Sequence, residues 1–171
     1  IKNLKKSLKI KRELNEPEGI ASALKSIGMV YYKKTQFNQA MIYHKKSLKQ
    51  REIIDYPPGI SESLMNIADT YRKKREYKKA IDNYKKSLHI MDTIKDQFKA
   101  STILYRLGCM YRKIGEYNLA IETLKKSEKL KNKKNDLTFF GHILLEISRA
   151  YRWKGEYDIS LDYNERSIKF A

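Results

Sequence analysis

The run Leu104–Ile121, LYRLGCMYRKIGEYNLAI, decides what kind of chain this is. Leu104, Leu107, Gly108 and Tyr111 are spaced three, one and three apart, which is one stripe of an α-helix. Gly115 then interrupts, and a glycine there suits a left-handed helix stop. Tyr117, Ala120, Ile121 and Leu124 resume the same periodicity. The stretch therefore reads as a helix A, a tight turn at Gly115-Glu116 and a helix B.

Outward from this run the unit recurs every 40 residues without an insertion. Tyr31, Tyr71, Tyr111 and Tyr151 stand at that interval. So do Phe37, Tyr77, Tyr117 and Tyr157, and Ser47, Ser87, Ser127 and Ser167. A fixed period in this range marks one supersecondary unit stacked on its neighbours. Such a chain works along a surface read column by column, not in one convergent pocket.

Small residues fill two columns where helices A and B press closest: Gly28, Ala68, Gly108 and Ser148, and Ala40, Ala80, Ala120 and Ser160. The tyrosine columns are expected to fill the space beside them. Helix A starts are marked by Pro17-Glu18-Gly19 and Pro57-Pro58-Gly59, since proline is tolerated only in the first turn. The pattern predicts helices over 1–14, 18–34, 37–54, 58–74, 77–94, 98–114, 117–132, 137–154 and 157–170. Composition agrees: 7 Gly and 3 Pro are few, and charged residues make up 33% against about 25% in an average domain.

The motif Leu-x-x-Leu-Gly-x-x-Tyr followed by Gly-x-Tyr-x-x-Ala-Ile resembles the tetratricopeptide repeat. The resemblance covers nearly the whole chain. It implies one all-α array over 1–171, a right-handed superhelical solenoid of antiparallel helix pairs. Residues 1–19 would be helix B of a preceding repeat, and 20–59, 60–99, 100–139 and 140–171 four repeats. The period of 40 exceeds the usual 34 and is similar to kinesin-light-chain-like and Pins-like scaffolds. Thr35 and Arg75 stand where the later units have glycine, which leaves their turn geometry open.

By this resemblance the concave wall is built mainly from helix A. Its columns include Lys25, Met65, Tyr105 and Leu145; Ser26, Asn66, Arg106 and Glu146; and Met29, Asp69, Cys109 and Arg149. Tyr32, Arg72, Arg112 and Arg152 follow, then Lys33, Lys73, Lys113 and Trp153, with Ser22, Glu62, Thr102 and His142 at the opening turn. These columns vary between copies, as a surface reading a non-repetitive ligand would, or as drifting exposed positions would. They hold nine Lys or Arg against three Asp or Glu, so an acidic or C-terminal-carboxylate peptide is the expected ligand. Macrodipole preference accounts for Lys33, Lys73 and Lys113 at helix ends, but not for the mid-helix Arg106. Of the carboxylate clamp found in some co-chaperones of the family, Lys25, Asn66 and Arg106 match, while Met29 and Thr102 do not. Trp153, the single tryptophan, either anchors a ligand or covers an apolar edge.

The net charge of +17 favours acidic partners of any kind. A polyanion or RNA is the rival ligand class, set second because most of the 13 tyrosines are read as packing and few remain as stacking platforms. Cys109 is the single cysteine and cannot form an internal disulfide, as in a reducing, cytoplasmic setting. Arg106 and Arg112 lie one helical turn from Cys109 and would lower its thiol pKa, but an inert groove thiol is the preferred reading over a reactive one. His44 shares a column with Tyr84 and Leu124 and reads as packing. No cofactor or metal ligand set, catalytic triad or phosphate loop is apparent, so the chain is expected to bind rather than catalyse. No apolar run reaches the roughly 18 residues that would point to a membrane span. Leu161 and Ile168 are expected to be partly uncovered, which would suit further repeats, self-association or a role as the sensor half of a larger regulator.

Overall fold

A computed structural model describes residues 1–130 and 136–170. It is all helical among these residues: α1 (Lys2–Glu13), α2 (Pro17–Lys33), α3 (Phe37–Ile53), α4 (Pro57–Lys73), α5 (Tyr77–Thr93), α6 (Gln97–Lys113), α7 (Tyr117–Leu130), α8 (Leu137–Lys154) and α9 (Tyr157–Ile168). The expected helices all appear, shifted by one or two residues at their ends. Positions 131 and 132 of the expected seventh helix lie outside the described residues, as does position 171 of the last repeat. The chain forms two compact units, Ile1–Ile90 and Met91–Ala171.

The turns explain the regularity. Asn15, Thr35, Asp55, Arg75, Lys95, Gly115 and Gly155 all have positive φ, so the left-handed residue recurs every 20 residues from Asn15 to Gly115. After each A helix the chain closes a Schellman turn. The amides of Gln36, Glu76, Glu116 and Glu156 donate to the carbonyls of Tyr31, Tyr71, Tyr111 and Tyr151 at 3.0 Å. Thr35 and Arg75 thus make the same turn as Gly115 and Gly155, at the cost of a side chain in the left-handed region.

In the first unit α2 packs on α3 and α3 on α4. The Ala21, Leu24, Ile27, Leu64, Ile67 and Ala68 side chains are buried there. The small columns act as expected. A Cβ on Gly28 would fall 2.6 Å from the His44 ring. His44 itself is only 1% exposed, so its reading as a packing residue holds. In the second unit a Cβ on Gly108 would meet the Leu124 Cγ at 2.6 Å. Buried serines staple each helix pair. Ser61 and Ser87 Oγ lie 2.7 Å apart and Ser101 and Ser127 3.2 Å apart. Ser148 and Ser160 lie 3.1 Å apart, and Ser47 Oγ donates to the Ala21 carbonyl at 2.8 Å. One column departs from expectation. Tyr157 is 69% exposed and packs nothing away, in contrast to the half-buried Phe37, Tyr77 and Tyr117.

Candidate functional site

The A helices of the first unit are joined side to side through the predicted groove columns. Lys25 Nζ on α2 donates to Glu62 Oε1 on α4 at 3.0 Å. Further along the same helices, Arg72 Nη2 lies 3.5 Å from the Tyr32 hydroxyl. Arg72 Nε donates to Asp69 Oδ1 at 3.3 Å, and the Tyr84 hydroxyl reaches the same oxygen at 2.6 Å. Burial works against ionisation of Glu62, but Lys25 and Arg51 together hold its carboxyl below the usual range. Met29, Met65, Asn66 and Tyr32 are half-buried, with Tyr32 edge-on to Phe37 at 5.8 Å; Lys33 and Lys73 are exposed.

Arg51 is a residue that the column reading missed. It is 2% exposed where the next repeat has the buried Met91. Its Nη1 donates to the Gly59 carbonyl at 2.9 Å and to Ser63 Oγ at 3.1 Å. It also pairs with Glu62 Oε2 at 2.9 Å and Glu18 Oε1 at 3.4 Å. Its column holds Lys11, Met91 and Lys131 as well, and nothing in spacing distinguishes a buried arginine from an exposed one. Arg51 ties α2, α3 and α4 together and fixes Glu62 beneath Lys25.

The second unit repeats the arrangement with different residues. Arg112 on α6 donates through Nε and Nη2 to Glu146 Oε2 on α8, at 2.9 and 2.8 Å. Arg149 Nη1 takes the other carboxylate oxygen at 2.5 Å. Glu146 has a side chain only 7% exposed, so both of these predicted ligand-binding arginines are already partnered. Arg72, held by Asp69, is in the same position in the first unit. The available positive charge of this surface is therefore smaller than the column count implied.

Cys109 agrees with the inert reading. Burial and the Glu146 carboxylate push its thiol up to about 12, and Arg112 does not reverse the shift. Neighbouring arginines fail to activate it because Glu146 has claimed Arg112 and sits beside the sulfur. Burial, followed by the neighbouring Cys109 and Glu146, also raises Tyr105, whose ring meets Phe139 edge-on at 5.1 Å. Arg106 is half-buried, and Lys113, Arg152 and Trp153 are exposed, Trp153 to 60%. Arg149 and Arg152 line a cavity of about 420 Å³ with Leu145, Tyr157, Leu161 and Asn164. Lys25 and Asn66 of the clamp pattern belong to the first unit and Arg106 to the second. Among the described residues no group of His, Cys, Asp and Glu is arranged to hold a metal ion, and no helix is long and apolar enough to cross a membrane.

Residues 59–133 match the family described as tetratricopeptide repeat. A comparison with curated protein sequences returns no match. Among solved structures, the chain is similar to BtubC (BKLC) from P. vanneervenii at 12% identity and a TM-score of 0.90, covering 98% of this chain and 70% of that one. It is similar to the putative kinesin light chain TPR-like repeats of Podosopora anserina at 14% identity and a TM-score of 0.80, covering 98% and 82%. A third is a Rap protein complexed with Competence and Sporulation Factor, at 19% identity and a TM-score of 0.78. The match covers 88% of this chain but only 42% of that Rap chain. At these identities the likeness is one of fold.

Proposed function

We propose that this chain, an array of tetratricopeptide repeats, is a protein-interaction module that holds an extended acidic peptide along the exposed face of its A helices. The observation that carries this reading is the set of links between successive A helices within each unit. Lys25 to Glu62 and Tyr32 to Arg72 join α2 to α4, and Arg112 to Glu146 joins α6 to α8. Corresponding columns of neighbouring repeats therefore share one surface, which a ligand spanning several repeats requires. These links also hold the polar side chains in place before any ligand arrives, so less ordering entropy is lost on binding. Charges not consumed internally, Lys33 and Lys73 in the first unit and Lys113 and Arg152 in the second, supply attraction to carboxylates. In the second unit the cavity beside Arg152 gives an acidic side chain an apolar wall in Leu145 and Leu161. The Rap protein solved with Competence and Sporulation Factor supports the general idea that a helical repeat of this shape carries a bound factor. Nothing in the reading needs bond-making chemistry.

The test is selection of displayed random peptides on the immobilised chain, followed by anisotropy titration of the winners. Enriched peptides should carry two or more acidic residues. Binding should weaken at least 10-fold in the Lys113→Glu/Arg152→Glu variant, whose two sites are exposed and outside the ion-pair network. Winners without acidic residues, or unchanged affinity in that variant, would remove the A-helix face as the site.

A further inference from the structure

Much of the positive charge lies on the B helices, away from the A-helix columns. Lys-Lys-Ser recurs as Lys5-Lys6-Ser7, Lys45-Lys46-Ser47, Lys85-Lys86-Ser87 and Lys125-Lys126-Ser127. From Ser47 onward the serine is buried, whereas Lys5, Lys6, Lys45, Lys46, Lys85 and Lys86 are exposed. Lys45, Lys46, Lys49 and Lys86 form no ion pair with any described residue.

Cavities lie beside α2 between α1 and α3, and beside α4 between α3 and α5, and they differ in the ring that covers the A-helix tyrosine. In the α1–α2–α3 cleft the Tyr43 ring stacks on Tyr31 at 5.4 Å and 14°, with Lys46 Nζ 5.8 Å from the Tyr43 centroid. In the second unit Tyr163 stacks on Tyr151 at 5.6 Å and 22°, with Lys125 Nζ 5.4 and 5.9 Å from the two rings. The covering ring comes from the column Tyr43, Asn83, Thr123 and Tyr163. In the α3–α4–α5 cleft of the first unit that column supplies Asn83, whose amide donates to the Lys79 carbonyl at 2.8 Å. Among the described residues no ring stacks on Tyr71, whose aromatic contact is Lys79 Nζ at 5.6 Å. A cleft of about 530 Å³ remains, floored by Leu64, Ile67 and Tyr71, with Lys45, Lys86 and Asn83 around it.

We propose that this cleft and its flanking lysine pairs bind single-stranded nucleic acid. A base stacks on Tyr71 where Tyr43 and Tyr163 stack on their own tyrosines, and the phosphates run along Lys45, Lys46 and Lys86. The protein supplies its own template, because twice it fills the equivalent place with a flat ring and a nearby ammonium. Every nucleobase presents such a face, and stacking on an aromatic platform beside a cationic track is the general mode of single-strand binding. Lysine pairs at a constant register match a polymer whose charges are identical and evenly spaced. An acidic polypeptide offers neither that regularity nor an obligatory ring. Glu52 is the acidic side chain among the residues that line the cleft. This surface belongs to the B helices and does not rest on the peptide reading of the A-helix face.

The experiment is anisotropy titration of fluorescein-labelled oligo-dT of about 15 nucleotides over a range of salt concentrations. With three phosphate contacts the plot of log K against log salt should have a slope of about −2. Lys45→Ala/Lys86→Ala should flatten that slope by about 1.4. Asn83→Tyr should rebuild the Tyr31–Tyr43 stack, close the cleft and weaken binding about 10-fold while leaving the slope and thermal stability unchanged. Tyr71→Leu, which keeps apolar bulk without the ring, should lose affinity likewise. The proposal is overturned if oligo-dT does not bind, if Asn83→Tyr binds it like the wild type, or if polyglutamate competes as well as unlabelled oligo-dT. The last result would assign the surface to an acidic protein.

Discussion

His44 gives the fold a dependence on pH whose size can be worked out. Its ring is 1% exposed, lies against Gly28, and neither ring nitrogen has a hydrogen-bond partner among the described residues. Burial lowers its pKa from 6.5 to about 4, against a smaller opposing pull from the Asp69 carboxylate. The unfolded chain therefore binds a proton between pH 6.5 and 4 that the folded chain refuses. Stability is full above pH 6.5 and falls as pH drops toward 4, below which this residue adds no further loss. At 1.36 kcal/mol per unit the whole window is worth about 3 kcal/mol, and the step from pH 7 to pH 5 about 2 kcal/mol. The assay is urea unfolding followed by circular dichroism at pH 7 and pH 5, for the wild type and His44→Leu. Leucine is what the same column holds at Leu4 and Leu124, so the core position is kept apolar. The wild type should lose about 2 kcal/mol more than the variant between the two pH values. Carboxylates common to both cancel in that difference. Equal losses in the two proteins would refute the reasoning, since the acid sensitivity would then lie elsewhere.

Three further outcomes are expected. Gly108→Ala places a methyl 2.6 Å from Leu124 Cγ and should destabilise the chain by about 1–3 kcal/mol, read as a fall in denaturation midpoint. Thr35→Gly and Arg75→Gly relieve left-handed residues at φ 59 and 62 and should each raise stability by about 1 kcal/mol in the same assay. A thiol reagent at pH 8 should modify native Cys109 at least about 100-fold more slowly than the urea-unfolded chain, because burial and Glu146 hold the thiol protonated.

The fold was readable because its determinants are local and repeated. A stripe such as Leu104, Leu107, Gly108 and Tyr111 signals a helix on its own, and the fixed spacing of the small columns says which faces meet. The surface chemistry was less legible, since its partners lie far apart in sequence. Arg112 and Glu146 are 34 residues apart, which is not the repeat length, so aligning copies in columns never places them side by side. Charge counting then treats both as free. Arg51 escaped because a buried guanidinium and an exposed one look alike in a helix of mixed character. The lysine pairs of the B helices are plain in the sequence as Lys-Lys-Ser at a fixed register. Their meaning is masked because the adjoining serine carries the packing signal and the resemblance directs ligand binding to the A helices. The open Tyr71 face emerges only when two columns are set against each other, Tyr31, Tyr71, Tyr111 and Tyr151 with Tyr43, Asn83, Thr123 and Tyr163.

From Asn15 to Gly115 the left-handed turns keep time at twice the rate of the side chains, one every 20 residues against a pattern that repeats every 40. Cutting out residues 60–99 would splice Gly59 to Ala100 inside a continuing A helix and leave each later residue in phase with its column. An excision one residue longer or shorter would rotate the rest of that helix by about 100° and turn its buried stripe toward solvent. A 20-residue excision would keep every turn in place yet hand each A helix the sequence of a B helix. In this chain length is thus a quantised quantity: it can grow or shrink in whole copies, and the backbone alone cannot tell a half copy from a whole one.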